Sequence, residues 1–460
     1  MTQKQALDIL KLGHNVFLTG PAGSGKTYLL NQYIAYLREN KVGVGITAST
    51  GIAATHMGGM TIHSWVGMGI REDMAPQEMA ELLKRHYLRN RFLHTKVLII
   101  DEISMLHSFR LDLVHKICKA FKQLNVPFGG LQVVMCGDFF QLPPVERRGE
   151  GIGQRLGREV IADSSKPSIL NPLPFVCHSE IWKEMQLKVC YLDEQHRQDD
   201  RAFLRVLNDI RNSEVNEMTV EYLSERLNQP VKGYSKPTRL FTHNADVDAI
   251  NKAQFEALAG ESHEYYMTWR GSLGLTESLR KSCLAPETLL LKIGAQVMFV
   301  KNNYEVGYVN GTLGEVIGFD KNELPMVRTF DGAEIVVGQA SWEVKEDDVE
   351  KAAIAQLPLR LAWAITVHKS QGMSLDSAEV DLSRSFIPGM GYVALSRVRS
   401  LQGLKLMGMN QMALQVNQEV AEMDKEFTQA SHEVAVALHA MGEEKQQSRQ
   451  KDFLQFLQGK

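Results

Sequence analysis

Two alternating patterns of apolar and polar positions run along the chain. Short apolar runs at Asn15–Thr19, Val42–Ile46, Val97–Ile100 and Leu131–Cys136 read as buried strands. Segments with apolar residues at helical spacing, Gln3–Lys11, Tyr28–Arg38 and Pro76–Leu93, lie between them. Strand and helix in alternation predict an α/β fold with a parallel sheet. A second α/β unit is predicted to open at Val189, with an amphipathic helix over Phe203–Arg211 and a strand–helix pair over Arg239–Asn251. From about Glu264 to Val344 the period shortens to that of strands. Ala295–Val300, Thr312–Gly318 and Ile335–Val337 alternate with turns, and Asn310-Gly311 and Asp331-Gly332 are hairpin signals, so a small β-barrel is expected inside the second unit. The α/β pattern resumes at Leu359–Thr366 and Ser377–Leu382, Tyr392–Val398 reads as helical, and Gln411–Met441 is a long helix before a polar tail. Arg147–Asn171 has no period and reads as an irregular insertion.

Composition changes this picture little. The 460 residues are 44% hydrophobic and 23% charged, with formal net charge −3, so any nucleic-acid surface must be a local positive patch. The cysteines Cys118, Cys136, Cys177, Cys190 and Cys283 are odd in number and far apart, with no metal-ligand spacing, as in a reducing compartment. The N-terminal segment has no apolar signal core and no apolar run reaches membrane-spanning length, so a cytoplasmic protein is expected, nucleoid-associated if bacterial.

Chemistry enters at Gly20-Pro-Ala22-Gly23-Ser24-Gly25-Lys26-Thr27, which follows the first strand and opens a helix. This is the setting of a phosphate-binding loop. Glycines let backbone N–H groups surround phosphate oxygens, the helix N-terminus adds positive potential, Lys26 supplies a point charge and Thr27 a hydroxyl for magnesium. Asp101 and Glu102 end the Val97–Ile100 strand: Asp101 is suited to magnesium and Glu102 to polarising an attacking water. Gln141, at the tip of a further strand, can sense a terminal phosphate, and Pro143-Pro144 behind it stiffens the exit. Gln5 precedes the loop; its amide donates and accepts at once, as an adenine edge requires, although a helix surface also accommodates glutamine. Ser49, Thr61 and Ser64 can donate to a polymer's phosphates, and His63 and Trp65 offer faces to bases, with a helix cap and a core tryptophan as the alternative.

Taken in order, Gly20–Thr27, Thr47–Trp65, Asp101–Met105, Pro127–Leu131 with Gly137–Val145, Arg197-Gln198, Ala364–Gly372 and Tyr392–Arg397 resemble the PIF-one/RecD-like DNA helicases of superfamily one over Gln5 to about Leu406. The resemblance implies two RecA-like P-loop domains with ATP between them. Residues 1–188 would form the first, carrying a wedge at about 66–96. Residues 189–265 and 356–430 would form the second, with an SH3-like β-barrel at 266–355 and a helical tail at 431–460. It implies Arg197 and Arg397 as arginines reaching the terminal phosphate, Gln5 at the adenine, Gly372 at the nucleotide, and His63, Ser64, Thr366, His368 and Lys369 on the DNA face. ATP and magnesium, 5′-to-3′ movement on single-stranded DNA, unwinding of forks, RNA–DNA hybrids or G-quadruplexes, and action as a monomer follow as expectations. A translocase that strips proteins from DNA without unwinding it, or a nucleotide-gated binding module, stays open at this point. The loop at 149–168 is longer than the family minimum, and the tail carries no motif.

Overall fold

The computed structural model describes residues 1–69, 71–141, 175–194, 200–231, 237–241, 247–303, 305–346, 349–367, 370, 373–385 and 387–459. Arg197, His368, Lys369, Gly372 and the loop at 149–168 lie outside the described residues.

The strands β1 (Val16–Thr19), β2 (Val44–Ala48), β3 (Met60–Thr61), β4 (Val97–Asp101), β5 (Gln132–Cys136) and β6 (Lys188–Tyr191) form one parallel sheet in the order β3-β2-β4-β5-β1-β6. Helices cover both faces, so the central strands are apolar except at their ends (Thr19, Asp101 and Gln132), and β1, β4 and β5 are buried at every position. The strand period sorts β1 between two cores. Val16 and Leu18 join Leu29, Tyr33 and Leu37 of the helix Lys26–Glu39, while Phe17 packs edge-on against Trp182 and Phe427. The carboxyl ends of β1, β4 and β5 therefore open side by side, at the crevice where parallel sheets bind ligands.

Three boundaries differ from the sequence reading. The strand at Val189 does not open the second unit: β6 pairs with β1 from Lys188 to Tyr191, and Leu192 N–H continues the ladder to Thr19. A short apolar strand does not encode which sheet it joins. The helix Gln418–Met441 likewise belongs against the first unit. Its Ser431 accepts a hydrogen bond from Tyr191 N–H at 2.9 Å, and its Phe427 lies on Phe17. The polar tail is a second helix, Glu443–Gln458, whose Phe453 fills the space that a side chain at Gly13 would occupy.

The second sheet is parallel and four-stranded, in the order Ala364–Thr366, Thr238–Phe241, Ala378–Leu382, Leu404–Met409. The β-rich insertion holds an antiparallel five-stranded sheet with Leu359–Leu361 as an edge strand, so it runs past the expected end at 355, and beside it a three-stranded and a two-stranded antiparallel sheet. Asp331-Gly332 makes the expected tight turn, with Gly332 at φ +97°. The single helix expected over Pro76–Leu93 is two, Pro76–Leu83 and His86–His94, because Arg85 takes an extended conformation between them. Arg91 of the second helix is buried and donates to the backbone carbonyl of Trp65. Among the described residues no helix is long and apolar enough to cross a membrane.

Candidate active site

Gly20, Gly23 and Gly25 adopt positive φ, the conformations that only glycine takes without strain, and carry the chain from β1 into the helix at Lys26. A Cβ at Gly20 would stand 2.4 Å from the Leu192 carbonyl, so the loop can lie against the β6 exit only with glycine there. Gly25 caps the helix without any side-chain acceptor, leaving its first N–H groups facing the loop. Ser24 Oγ is buried inside the loop with no hydrogen-bond partner. The Lys26 ammonium donates to the carbonyls of Gly20 at 2.7 Å and Pro21 at 2.9 Å, and burial lowers its pKa. A buried cation resting on carbonyls beside an unpartnered hydroxyl and uncapped N–H groups fits an anionic phosphate. Thr27 is exposed at the first turn, and Ala22 is buried in the loop.

Asp101 ends β4, and its carboxylate accepts from Glu102 N–H at 2.8 Å. Glu102 stands at φ +50°, an uncommon left-handed position for a non-glycine residue, which turns its side chain off the strand. Burial raises the pKa of both carboxyls; Glu102, with Asp101 beside it, is pushed up to about 7. Two adjacent buried carboxyls next to the phosphate loop form a hard oxygen donor set suited to a cation.

Gln141 lies beyond the tip of β5. Its amide nitrogen donates to Asp138 at 3.3 Å, and its amide oxygen accepts from Arg397 at 3.3 Å. Arg397 follows the helix Met390–Leu395 of the second unit and is almost wholly buried. The fold thus brings Lys26, Asp101, Glu102, Gln141 and Arg397 to one cleft between the two sheets.

The remaining expected residues divide. Gln5 completes a capping box with Thr2, accepting from Thr2 N–H at 3.0 Å, while Gln3 donates to the Ser24 carbonyl of the loop at 3.4 Å. Ser49 is not a free phosphate donor, since its hydroxyl donates to the Glu102 carbonyl at 2.6 Å and ties the tips of β2 and β4 together. Thr61 caps the turn Ile62–Trp65 and donates to the exposed Ser64 hydroxyl at 3.0 Å. His63 is half-buried; burial and the neighbouring Arg110 lower its pKa to about 4 and keep it neutral. Trp65 is not a base platform. It is 3% exposed, edge-on to Phe92, and packs where a Cβ on Gly45 would meet it at 2.7 Å. Thr366 ends its strand half-buried. The sequence reading missed Asp138, which adjoins Gln141, and Arg211 and Asp424, which are linked to it through Asp138. Asp138 lay inside a stretch already singled out, but Arg211 ends an ordinary amphipathic helix and Asp424 sits in a helix with no motif.

A two-sheet P-loop fold, with Arg397 of the second unit bonded to Gln141 of the first, is the class this geometry defines. Family models match at two places, "PIF1-like helicase" over residues 2–221 and "DNA helicase Pif1, 2B domain" over residues 274–319. The chain is 41% identical to the ATP-dependent DNA helicase Pif1 of Psychrobacter sp., covering 99% of this chain and 75% of that protein. It is 36% identical to human ATP-dependent DNA helicase PIF1 over 91% of this chain and 62% of the human one, so it spans less than two thirds of the human protein. Among solved structures, Bacteroides sp Pif1 in complex with ADP-AlF4 superposes with TM-score 0.78 at 31% identity, over 93% of this chain and 96% of that one. Bacteroides Pif1 bound to ssDNA superposes with TM-score 0.62 at 32% identity, over 94% and 97%. The chain belongs to the PIF1-like helicases, a family of ATP-hydrolysing DNA helicases.

Proposed function

We propose that this chain couples ATP hydrolysis to 5′-to-3′ movement along single-stranded DNA and separates duplex at forks. The observation that carries the reading is Arg397 of the second unit bonded to Gln141 of the first, across the nucleotide cleft. In this reading the phosphate loop and Lys26 hold the triphosphate, Glu102 polarises the attacking water, and Gln141 senses the terminal phosphate. Arg397 stabilises charge on the transferred phosphoryl group. Thr27 and Asp101 would hold the magnesium that accompanies ATP, which neutralises charge on the phosphate oxygens. Because the arginine comes from the other unit, hydrolysis requires a closed cleft, and reopening moves the two DNA-gripping faces apart. In this reading Thr61, His63 and Ser64 grip DNA from the first unit and Thr366 from the second, where the family resemblance also assigns His368 and Lys369 to DNA. The Bacteroides relative bound to ssDNA supports the choice of substrate, and another solved relative is described as two coordinating Pif1 helicases at forked dsDNA. Separating DNA costs on average about 1.4 kcal/mol of stacking per base-pair step, within reach of a few phosphate or stacking contacts.

Forked duplexes carrying only a 5′ tail or only a 3′ tail test this directly. ATP-dependent opening of the 5′-tailed fork alone is expected. Opening of the 3′-tailed fork alone would reverse the polarity. Displacement of streptavidin from DNA ends, with both forks left closed, would make the protein a remodelling translocase.

A further inference from the structure

Arg211 is the last residue of the helix Arg201–Arg211 and is 3% exposed. Its guanidinium joins elements distant in sequence. One nitrogen donates to the Asp138 carboxylate at 2.9 Å and to the Tyr392 hydroxyl at 3.2 Å, while the other donates to Asp424 at 2.9 Å. The plane sits 4.0 Å from the centroid of the Phe140 ring. Asp424 belongs to the C-terminal helix Gln418–Met441 and also accepts from the Tyr191 hydroxyl at 3.0 Å.

Asp138 is wholly buried and accepts from Arg211, from Phe140 N–H and from the Gln141 amide nitrogen. An amide side chain can face either way, and its two ends differ in what they offer. An ionised carboxylate accepts only, so it fixes the nitrogen of Gln141 toward Asp138 and its oxygen toward Arg397. Burial alone would neutralise Asp138; Arg211 opposes that, and the carboxyl is held below its ordinary range. One polar chain thus runs from Asp424 through Arg211, Asp138 and Gln141 to Arg397.

We propose that Arg211 and Asp424 are positioning residues for ATP hydrolysis, fixing the Gln141 amide through Asp138, and that the C-terminal helix is thereby a working part of the nucleotide cleft. This rests on the proposed role of Gln141. A buried ion pair can instead serve folding alone, so the two roles need different readouts.

The test uses the full chain and DNA-stimulated ATP turnover. Asp424→Asn keeps the shape and removes the charge. It is expected to lower kcat about tenfold while leaving KM for ATP within about twofold. In a Gln141→Ala background the same change is expected to cost nothing further, because groups acting through one another are not additive. Wild-type kcat in Asp424→Asn, or losses that multiply in the double variant, would overturn the proposal. Should Asp424→Asn fail to fold, Tyr191→Phe removes one hydrogen bond from Asp424 without touching a charge. It is expected to lower kcat about twofold to threefold, again only when Gln141 is present, and an unchanged kcat would count against the proposal. Normal turnover in Gln141→Ala alone would instead remove the sensor role of Gln141, a separate failure.

Discussion

Arg397 donates to the amide oxygen of Gln141 at 3.3 Å, joining the segment beyond β5 of the first unit to the residue that follows the helix Met390–Leu395 of the second. The arginine is nearly inaccessible to solvent, and burial lowers its pKa against the pull of Glu102. Such a desolvated guanidinium gains from an anion entering the cleft. Arg397→Ala is therefore expected to leave ATP affinity within a few-fold of wild type while hydrolysis falls by about 10³ or more. Arg397→Lys should rescue poorly, since an ammonium lacks the planar fork. Fluorescent-nucleotide binding and phosphate release separate the two effects. Loss of nucleotide binding in Arg397→Ala would assign the residue to folding instead.

The parts of the site legible in sequence are those whose chemistry is local. A phosphate loop needs glycines, lysine and threonine in one turn, so Gly20–Thr27 announced itself, and Asp101-Glu102 ends a strand that periodicity alone marks. Arg397 carries no local signal, because an isolated arginine just past a helix has no period or spacing that reveals its partner. Asp138, Arg211 and Asp424 meet only in three dimensions. Sheet membership was illegible for the same reason: β6 and Ala378–Leu382 look alike as short apolar strands, and hydrogen bonding alone assigns them to different sheets. Residue type misled at Trp65 and Ser49. An indole can stack on a base or fill a core, and a serine hydroxyl can meet a phosphate or a backbone carbonyl; burial and distance decide which.

Trp65 provides a test of that distinction. Buried against Phe92 and over Gly45, it should matter for stability and not for DNA contact. Trp65→Ala is expected to cost about 3–5 kcal/mol of stability through the cavity it leaves. Trp65→Leu fills more of the space yet cannot stack on a base. Its affinity for single-stranded DNA should stay within about threefold of wild type, whereas a lost stacking contact is worth about 1–3 kcal/mol. Fluorescence anisotropy at fixed salt measures this, and a tenfold or greater loss in folded Trp65→Leu would return the indole to the DNA face.

Glu102 should leave two signatures in pH. Burial, then the adjacent Asp101, pushes its pKa from 4.5 up to about 7, and only the ionised form can draw a proton from water. The acidic limb of kcat/KM for ATP is therefore expected near pH 7, with Glu102→Gln nearly inactive across the range. The second signature is in stability. Between pH 4.5 and about 7 the folded protein holds a proton at Glu102 that the unfolded chain has released. Stability from this group is thus complete below pH 4.5 and is lost as pH rises through 7. Glu102→Gln stays neutral throughout and escapes the loss. In denaturant titrations the variant should be more stable than wild type at pH 8, with the gap closing as pH falls toward 4.5. Equal midpoints at pH 8, or a gap that widens on acidification, would show that Glu102 ionises in the fold as an ordinary carboxylate and would take away the basis for the pH limb.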